Sequence, residues 1–368
     1  AVEVLARLGS KSSVPLIGQC LWSDDIYLVE NSVWALEKLS CNRHDLIQQM
    51  IGLLKDASQN QRVLIKALAT LAIDQSFDSI RSLQTSDRPG VRGAAIAAVA
   101  KGTQDRAGLL QIKGYLTLPN QMDRQCAVQD LVDGGAIELL PSIATAPVSP
   151  AFRIRACREI LATAKVLLSA DVGLDLIDVV FRDDPAQINV IHQYDEAPAP
   201  EFLVRQLYNT DFSRCYLAMQ NLPEYSAEVL IPILQQSWEE EAHNDYGAHY
   251  FFMHVFGSRD DWSSSALEWI VNLLNEAAIN RRPQFQKSRA AAIQALRSLR
   301  PDLFFELGSQ LLRGSIPASW ECRYVTIMCM ESLSIGGGDQ IRDLLVNCQQ
   351  DADAFVQARA ASALSSIG

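Results

Sequence analysis

The residues with the most chemistry in the least space run from Asn244 to Phe256. With His243 just before it, this stretch holds three of the chain's five histidines. Wound as a helix at about 100° per residue, it divides into two faces. Ala248, Phe251, Phe252, Val255 and Phe256 form an apolar arc. Asp245, His249, Met253, Tyr246, Tyr250 and His254 follow around the opposite side. One face is expected to be buried. The other offers a carboxylate, imidazoles and phenols, the groups that give and take protons. Gly247 weakens the helix by about 1 kcal/mol relative to Ala, a cost tolerated where something must approach the backbone closely.

Such groups need a scaffold, and a repeat supplies one. Val33-Trp-Ala-Leu-Glu-Lys-Leu39, Ile65-Lys-Ala-Leu-Ala-Thr-Leu71 and Val91 to Val99 share a small, apolar helical texture. It returns in Arg124 to Leu131, Arg155 to Leu161, Arg289 to Leu296 and Ala358 to Leu364. Ala35, Ala67 and Ala97 recur at roughly thirty-residue intervals, the period of stacked helical pairs. Amphipathic partner helices are expected at Leu46–Leu54 and Ile137–Ile143. No run has the strand period. The expected fold is all-α, a HEAT-like α-solenoid of about eleven stacked helical pairs. It forms a single array over 1–368, with regular repeats at 1–164 and 287–368. The array is cut in phase at both ends, and it is expected to lack capping segments. Arg62, Arg92, Arg124, Arg289 and Arg359 recur near the starts of second helices, as the polar ladder of such an array.

Between 165 and 286 small residues give way to Phe, Tyr, Trp, His and acids. Second helices are expected at Pro185–Tyr194, Phe212–Leu222 and Asn244–Phe256. If these line a concave face, His192, Tyr194, Asp211, Arg214, Asp245, Tyr246, His249 and Tyr250 converge on one cleft. Aromatic rings would stack on a flat, conjugated, acidic ligand, and arginines would pair with its carboxylates.

Composition narrows the function. The net charge of −11 and pI near 5.0 oppose nucleic-acid binding, which needs basic surface. No apolar run approaches the ~18 residues of a membrane span, and a cytoplasmic protein is expected. The eight cysteines include no C-x-x-C pair and no zinc spacing; they read as reduced, mostly buried small hydrophobes. No His-Glu pair suggests di-iron chemistry. Gly336 to Gly338 is not followed by Lys-Ser/Thr, so no nucleotide loop is expected.

Tyr208-Asn-Thr-Asp-Phe-Ser-Arg-Cys-Tyr-Leu-Ala218 and Asn244-Asp-Tyr-Gly-Ala-His-Tyr-Phe-Phe252 resemble the E/F-type phycobilin lyases, especially the long single-chain members acting on phycoerythrin. The resemblance implies a HEAT-like fold that binds a linear tetrapyrrole, phycoerythrobilin, as substrate. It also implies attachment of that bilin by a thioether to a cysteine of a phycoerythrin subunit, with the α subunit as expected client. Some members isomerise the bilin to phycourobilin. On this reading Asp245, Tyr246 and His249 are the catalytic candidates. Asp245 would sit under the pyrrole nitrogens, and Tyr246 or His249 would move the proton. Arg214, Arg153 and Arg155 would hold the propionates, with Asp211, His192, Tyr194 and Tyr250 completing the wall. Neither metal nor nucleotide is implied, and Cys215 need not be a nucleophile. The alternatives are a non-catalytic adaptor and a bilin chaperone.

Overall fold

A computed structural model describes residues 1–164, 171–333 and 338–367. The boundary expected at 164/165, and Gly336 and Gly337 of the glycine run, fall at or outside the limits of the described residues. Among the described residues the chain is all-α, with 22 α-helices and no strand. None is long and apolar enough to cross a membrane. The eight cysteines are free thiols.

The chain divides into two compact units, Ala1–Leu139 and Leu140 to the C-terminus. The first contains α1 (Val2–Arg7), α2 (Val14–Gln19), α3 (Ile26–Lys38), α4 (His44–Leu54), α5 (Gln61–Leu71), α6 (Ile73–Ser82), α7 (Pro89–Thr103), α8 (Leu109–Lys113) and α9 (Gln121–Asp133). Helices α1, α3, α5, α7 and α9 stack on one another in sequence, and α4, α6 and α8 each lie against the next of them. Ala35, Ala67 and Ala97 are buried at these contacts, where a small side chain lets helices approach without leaving a void. The arginine ladder is built here. Arg62 donates to Gly90 O at 2.7 Å and to Asp130 Oδ2 at 2.8 Å. Arg124 is buried and donates to Leu118 O and Pro119 O. Gly93 makes room for the Arg62–Asp130 pair, because a Cβ there would lie 2.4 Å from Asp130 Oδ2.

The second unit contains α10 (Leu140–Ala144), α11 (Pro150–Ala164), α12 (Asp171–Arg182), α13 (Pro200–Gln206), α14 (Phe212–Asn221), α15 (Ala227–Ser237), α16 (Ala248–Gly257), α17 (Ser264–Ile279), α18 (Gln286–Leu299), α19 (Pro301–Leu312), α20 (Trp320–Glu331), α21 (Gly338–Cys348) and α22 (Ala354–Ile367). Here α18 packs on α16, α17, α19 and α20, and α22 packs on α20 and α21. The approach of α16 to α18 is close: a Cβ on Gly257 would lie 2.6 Å from Ala295 Cβ. Helix α12 touches α10, α11, α18, α20 and α22, and its Asp178 ties it to α20 and α22. Asp178 accepts from Tyr324 Oη at 2.8 Å and from Arg359 Nε at 3.2 Å.

Two expected helices are corrected. Pro185–Tyr194 is not a helix: it opens with a 3-10 turn at Pro185–Gln187 and continues without regular structure to Ala199. Asp183 follows α12 with φ of 46°, a left-handed conformation that Asp tolerates better than most residues. Asp184 then caps the short turn. Beyond it, Ile188, Val190 and Ile191 favour extended backbone, which is held by Asn189 N–H to Thr145 O and Ile191 N–H to Ser213 Oγ. The helix expected from Asn244 starts at Ala248 instead. Residues 244–247 form a turn closed by the Asp245 carboxylate, whose Oδ1 accepts from Gly247 N–H at 2.8 Å and Ala248 N–H at 2.7 Å.

Candidate functional site

A pocket of ≈ 500 Å³ opens in the second unit among the first turns of α11, α18 and α20 and the C-terminal end of α12. Ligand pockets commonly span about 300–1,000 Å³. Phe181, Trp320 and Tyr250 supply flat apolar walls, with the Phe181 and Trp320 rings meeting edge-on at 5.7 Å. The cations at the wall are Arg155, Arg158 and Lys287. Arg155 is exposed and lies over the Phe152 ring at 4.6 Å. Arg158 lies over Trp320 at 4.0 Å and pairs with Asp353 at 2.6 Å. Helix N-termini carry partial positive charge, so the mouth combines aromatic faces, arginines and helix starts. That combination suits a flat, conjugated molecule bearing carboxylates.

Lys287, in the first turn of α18, was not anticipated from the sequence. Its Nζ lies 5.6 Å from the Phe212 ring centroid, 5.3 Å from that of Tyr246 and 5.3 Å from that of Tyr250. No carboxylate among the described residues forms an ion pair with it. Burial lowers its pKa to about 8, against the opposing pull of Cys215, Asp245 and Asp183. A lysine two residues before the ladder arginine Arg289 reads as a solvated side chain, and only the rings from α14, the 244–247 turn and α16 make it unusual.

The expected site residues separate into groups. Asp245, Tyr246 and Tyr250 gather around Lys287, although Asp245 and Tyr246 stand in the turn before α16 rather than on it. Tyr246 is exposed and its ring faces the ammonium. Arg155 is at the pocket. His192 Nε2 lies 3.0 Å from Asp211 Oδ2, and Asp211 also caps α14 through Ser213 N–H. Tyr194 packs edge-on to Phe202, and burial raises its phenol pKa while Arg214 opposes the shift. Arg214 is exposed on α14.

Three expectations are corrected by burial. Tyr250 does not present its phenol to a ligand: the residue is 4% exposed, and although its ring lines the pocket, its hydroxyl donates to Asp183 Oδ2 at 2.5 Å. Arg153 does not hold a ligand. It is completely buried, donating to Ala144 O at 2.8 Å and to Asp183 Oδ1 at 2.5 Å, with a further bond to Tyr216 Oη. It occupies the same fourth helical position as Arg124 and Arg289, a register that could have marked it as a ladder arginine. Tyr216 also donates to Asp183, at 2.7 Å to Oδ2, and His254 Nε2 lies 2.8 Å from Tyr250 Oη. Asp183 thus anchors a buried network, and Arg153, the tyrosine phenols and His254 together hold its pKa below the usual value despite burial. Cys215 is also buried, and its thiol is pushed up to about 12.

His249 is the third. It is 4% exposed, with its ring 4.4 Å from Phe285 and 5.1 Å from Trp238. Its Nδ1 has no hydrogen-bond partner, and it is not among the residues lining the pocket. Burial lowers its pKa to about 4 from 6.5. The unfolded chain therefore binds the extra proton first as pH falls. The stability contributed by neutral His249 is complete above pH 6.5 and is lost as pH falls towards 4, by about 3 kcal/mol in all. His249→Phe is expected to flatten that loss in urea titrations at pH 7, 5.5 and 4. Parallel pH dependence in parent and variant would show that His249 is not its source.

No family model matches the chain. A protein described as bilin biosynthesis protein CpeY, from Synechococcus sp. (strain WH8020), is 48% identical over 99% of this chain and 87% of its own length. A protein described as uncharacterized phycocyanin operon protein Y, from Pseudanabaena tenuis (strain PCC 7409), is 33% identical over 93% of this chain and 80% of its own length.

Proposed function

The chain belongs to the E/F-type phycobilin lyase family, and from that premise we propose that it binds a linear tetrapyrrole and attaches it to a phycobiliprotein cysteine. The substrate on this reading is phycoerythrobilin, and the client is a phycoerythrin subunit, the α subunit first. Isomerisation to phycourobilin during attachment belongs to the same proposal. No metal or nucleotide has a part in it.

The observation that carries the reading is the lining of the ≈ 500 Å³ pocket. Phe181, Trp320 and Tyr250 offer faces for stacking pyrrole rings. Arg155 and Arg158 offer guanidinium groups for the two propionates, whose bidentate geometry suits a carboxylate. A tetrapyrrole lying here would extend past Lys287 towards Tyr246 and Asp245, where the Asp245 carboxylate can stabilise the protonated form of the pyrrole nitrogens. His192, Asp211, Tyr194 and Arg214, at and near the start of α14, form the far rim in this arrangement. The covalent step joins the client's sulfur to the exocyclic carbon of ring A. Cys215, buried and with a raised pKa, takes no part.

The test is colour followed by transfer. The protein is produced together with enzymes that make phycoerythrobilin and is then purified. It should carry the bilin's visible absorbance, and mixing with the apo α subunit should move that absorbance onto a chromopeptide of matching mass. A colourless protein that still binds the subunit would support an adaptor instead. A coloured protein that does not accelerate attachment would be a chaperone.

A further inference from the structure

Resting on the bilin-lyase reading above, we propose that Lys287 carries the proton of the reaction, taking it from the client's thiol and delivering it to ring A. The geometry points there. Lys287 lines the pocket, and its Nζ is held by three aromatic rings at 5.3–5.6 Å instead of by a carboxylate. An ammonium has three protons to donate and no acceptor capacity. A cation seated over ring faces without an anionic partner is available to whatever enters the pocket.

The other groups nearby are less suited to the task. Arg155 and Arg158 cannot lose a proton in a protein. The Tyr250 phenol is committed to Asp183. His249 does not line the pocket, and the Cys215 thiol donates to Asn209 O within the fold. The titratable groups that face Lys287 are Cys215 from α14, Asp245 and Tyr246 from the turn, Tyr250 and His249 from α16 and Asp183 from the end of α12. Burial outweighs the acids among them and sets the lysine near 8. That is close to the ~8.5 of an ordinary thiol, so a proton passes between the two with little free-energy difference.

The step balances without an oxidant or reductant. The thiol's S–H proton passes to the neutral Lys287 amine as the sulfur lone pair forms the C–S bond at the exocyclic carbon. The electron pair of the ring-A C=C then takes a proton from the Lys287 ammonium and becomes a C–H bond. One S–H and one C=C bond are consumed, one C–S and one C–H bond are formed, and the amine ends as it began.

Lys287→Arg separates charge from proton transfer, because arginine keeps the cation but does not deprotonate. Parent, K287R and K287M, each loaded with phycoerythrobilin, are mixed with apo α subunit across pH 6–10 in single-turnover measurements. K287R is expected to retain bilin yet transfer about 10²–10⁴-fold more slowly, without the parent's pH limb near 8. K287M should lose transfer and also hold bilin less well. Parent-like rate and pH limb in K287R would overturn the proposal, as would a loss of transfer no larger than the loss of bound bilin. Should the variants not fold, competitive acylation of parent lysines across pH, read by peptide mass, decides the matter. Lys287 should titrate near 8 and be protected by phycoerythrobilin; titration near 10.5 without protection would overturn the assignment. An inactive, colourless parent would sink the lyase reading and this proposal with it, whereas an active parent with an equally active K287R sinks this proposal alone.

Discussion

Replacing Arg153 with methionine is expected to cost about 3–5 kcal/mol, the usual result of leaving a buried charge without its partner. Arg153 and Asp183 are both buried and meet at 2.5 Å. The substitution keeps much of the side-chain volume and removes the positive charge. Tyr216 and Tyr250 still donate to Asp183, but neutral donors stabilise a buried carboxylate less than a guanidinium does. The pH response should change sign. In the parent the Asp183 pKa is below its unfolded value of 3.8, so its contribution is complete above that value and is lost as pH falls further. In Arg153→Met burial alone pushes that pKa above the unfolded value, and the variant then loses stability as pH rises. Guanidinium unfolding at pH 4 and pH 8 should find the deficit smaller at pH 4. A deficit below about 1 kcal/mol, or one equal at both pH values, would remove Arg153–Asp183 from the supports of the fold.

Asp245→Asn should do the opposite, sparing the fold and harming transfer. The Asp245 carboxylate caps the turn before α16 through two backbone N–H groups, and Asn serves as a cap about as well as Asp. Stability should therefore stay within about 0.5 kcal/mol of the parent. What disappears is the negative charge beside Lys287 and, on the proposed reading, beneath the protonated pyrroles. Removing one preorganised electrostatic partner commonly costs about 10²–10³-fold in rate. Transfer of phycoerythrobilin to the apo α subunit should slow by that factor while bound bilin is retained. Tyr246→Phe keeps the ring facing Lys287 and removes only the phenol, so it should transfer at nearly the parent's rate. Undiminished transfer by Asp245→Asn would exclude Asp245 from the reaction and leave it a helix cap.

Most of the scaffold was legible because repeat helices leave a repeated mark. Close helix packing needs small residues, and Ala35, Ala67 and Ala97 are buried where the alanine period put them. Arginines at the fourth position of a helix reach backward to carbonyls of the segment that precedes it, Leu118 O for Arg124 and Ala278 O in the last turn of α17 for Arg289, where helix ends leave C=O groups open. Arg153 carries the same register in α11, which directs it inward to the buried network and away from a ligand. The Asn244–Phe256 stretch failed differently. A helical projection separates apolar from polar residues but does not say how many neighbours the helix has. Because α16 packs closely on α18 and sends Tyr250 to Asp183 at the end of α12, the arc carrying His249, Tyr250 and Met253 is buried as well.

The sequence by itself determined the all-α class and the helical period, because these follow from local spacing and from residue types that neighbours in the chain constrain, and its resemblance to known lyases determined the family. Tertiary structure alone decided which polar groups are available. Asp183, Tyr216 and Arg153 become one buried network, and Lys287 becomes a caged amine, through contacts between residues tens of positions apart. Burial and the nearest charge set a titratable group's behaviour, and both are properties of the packed helices that no local pattern records.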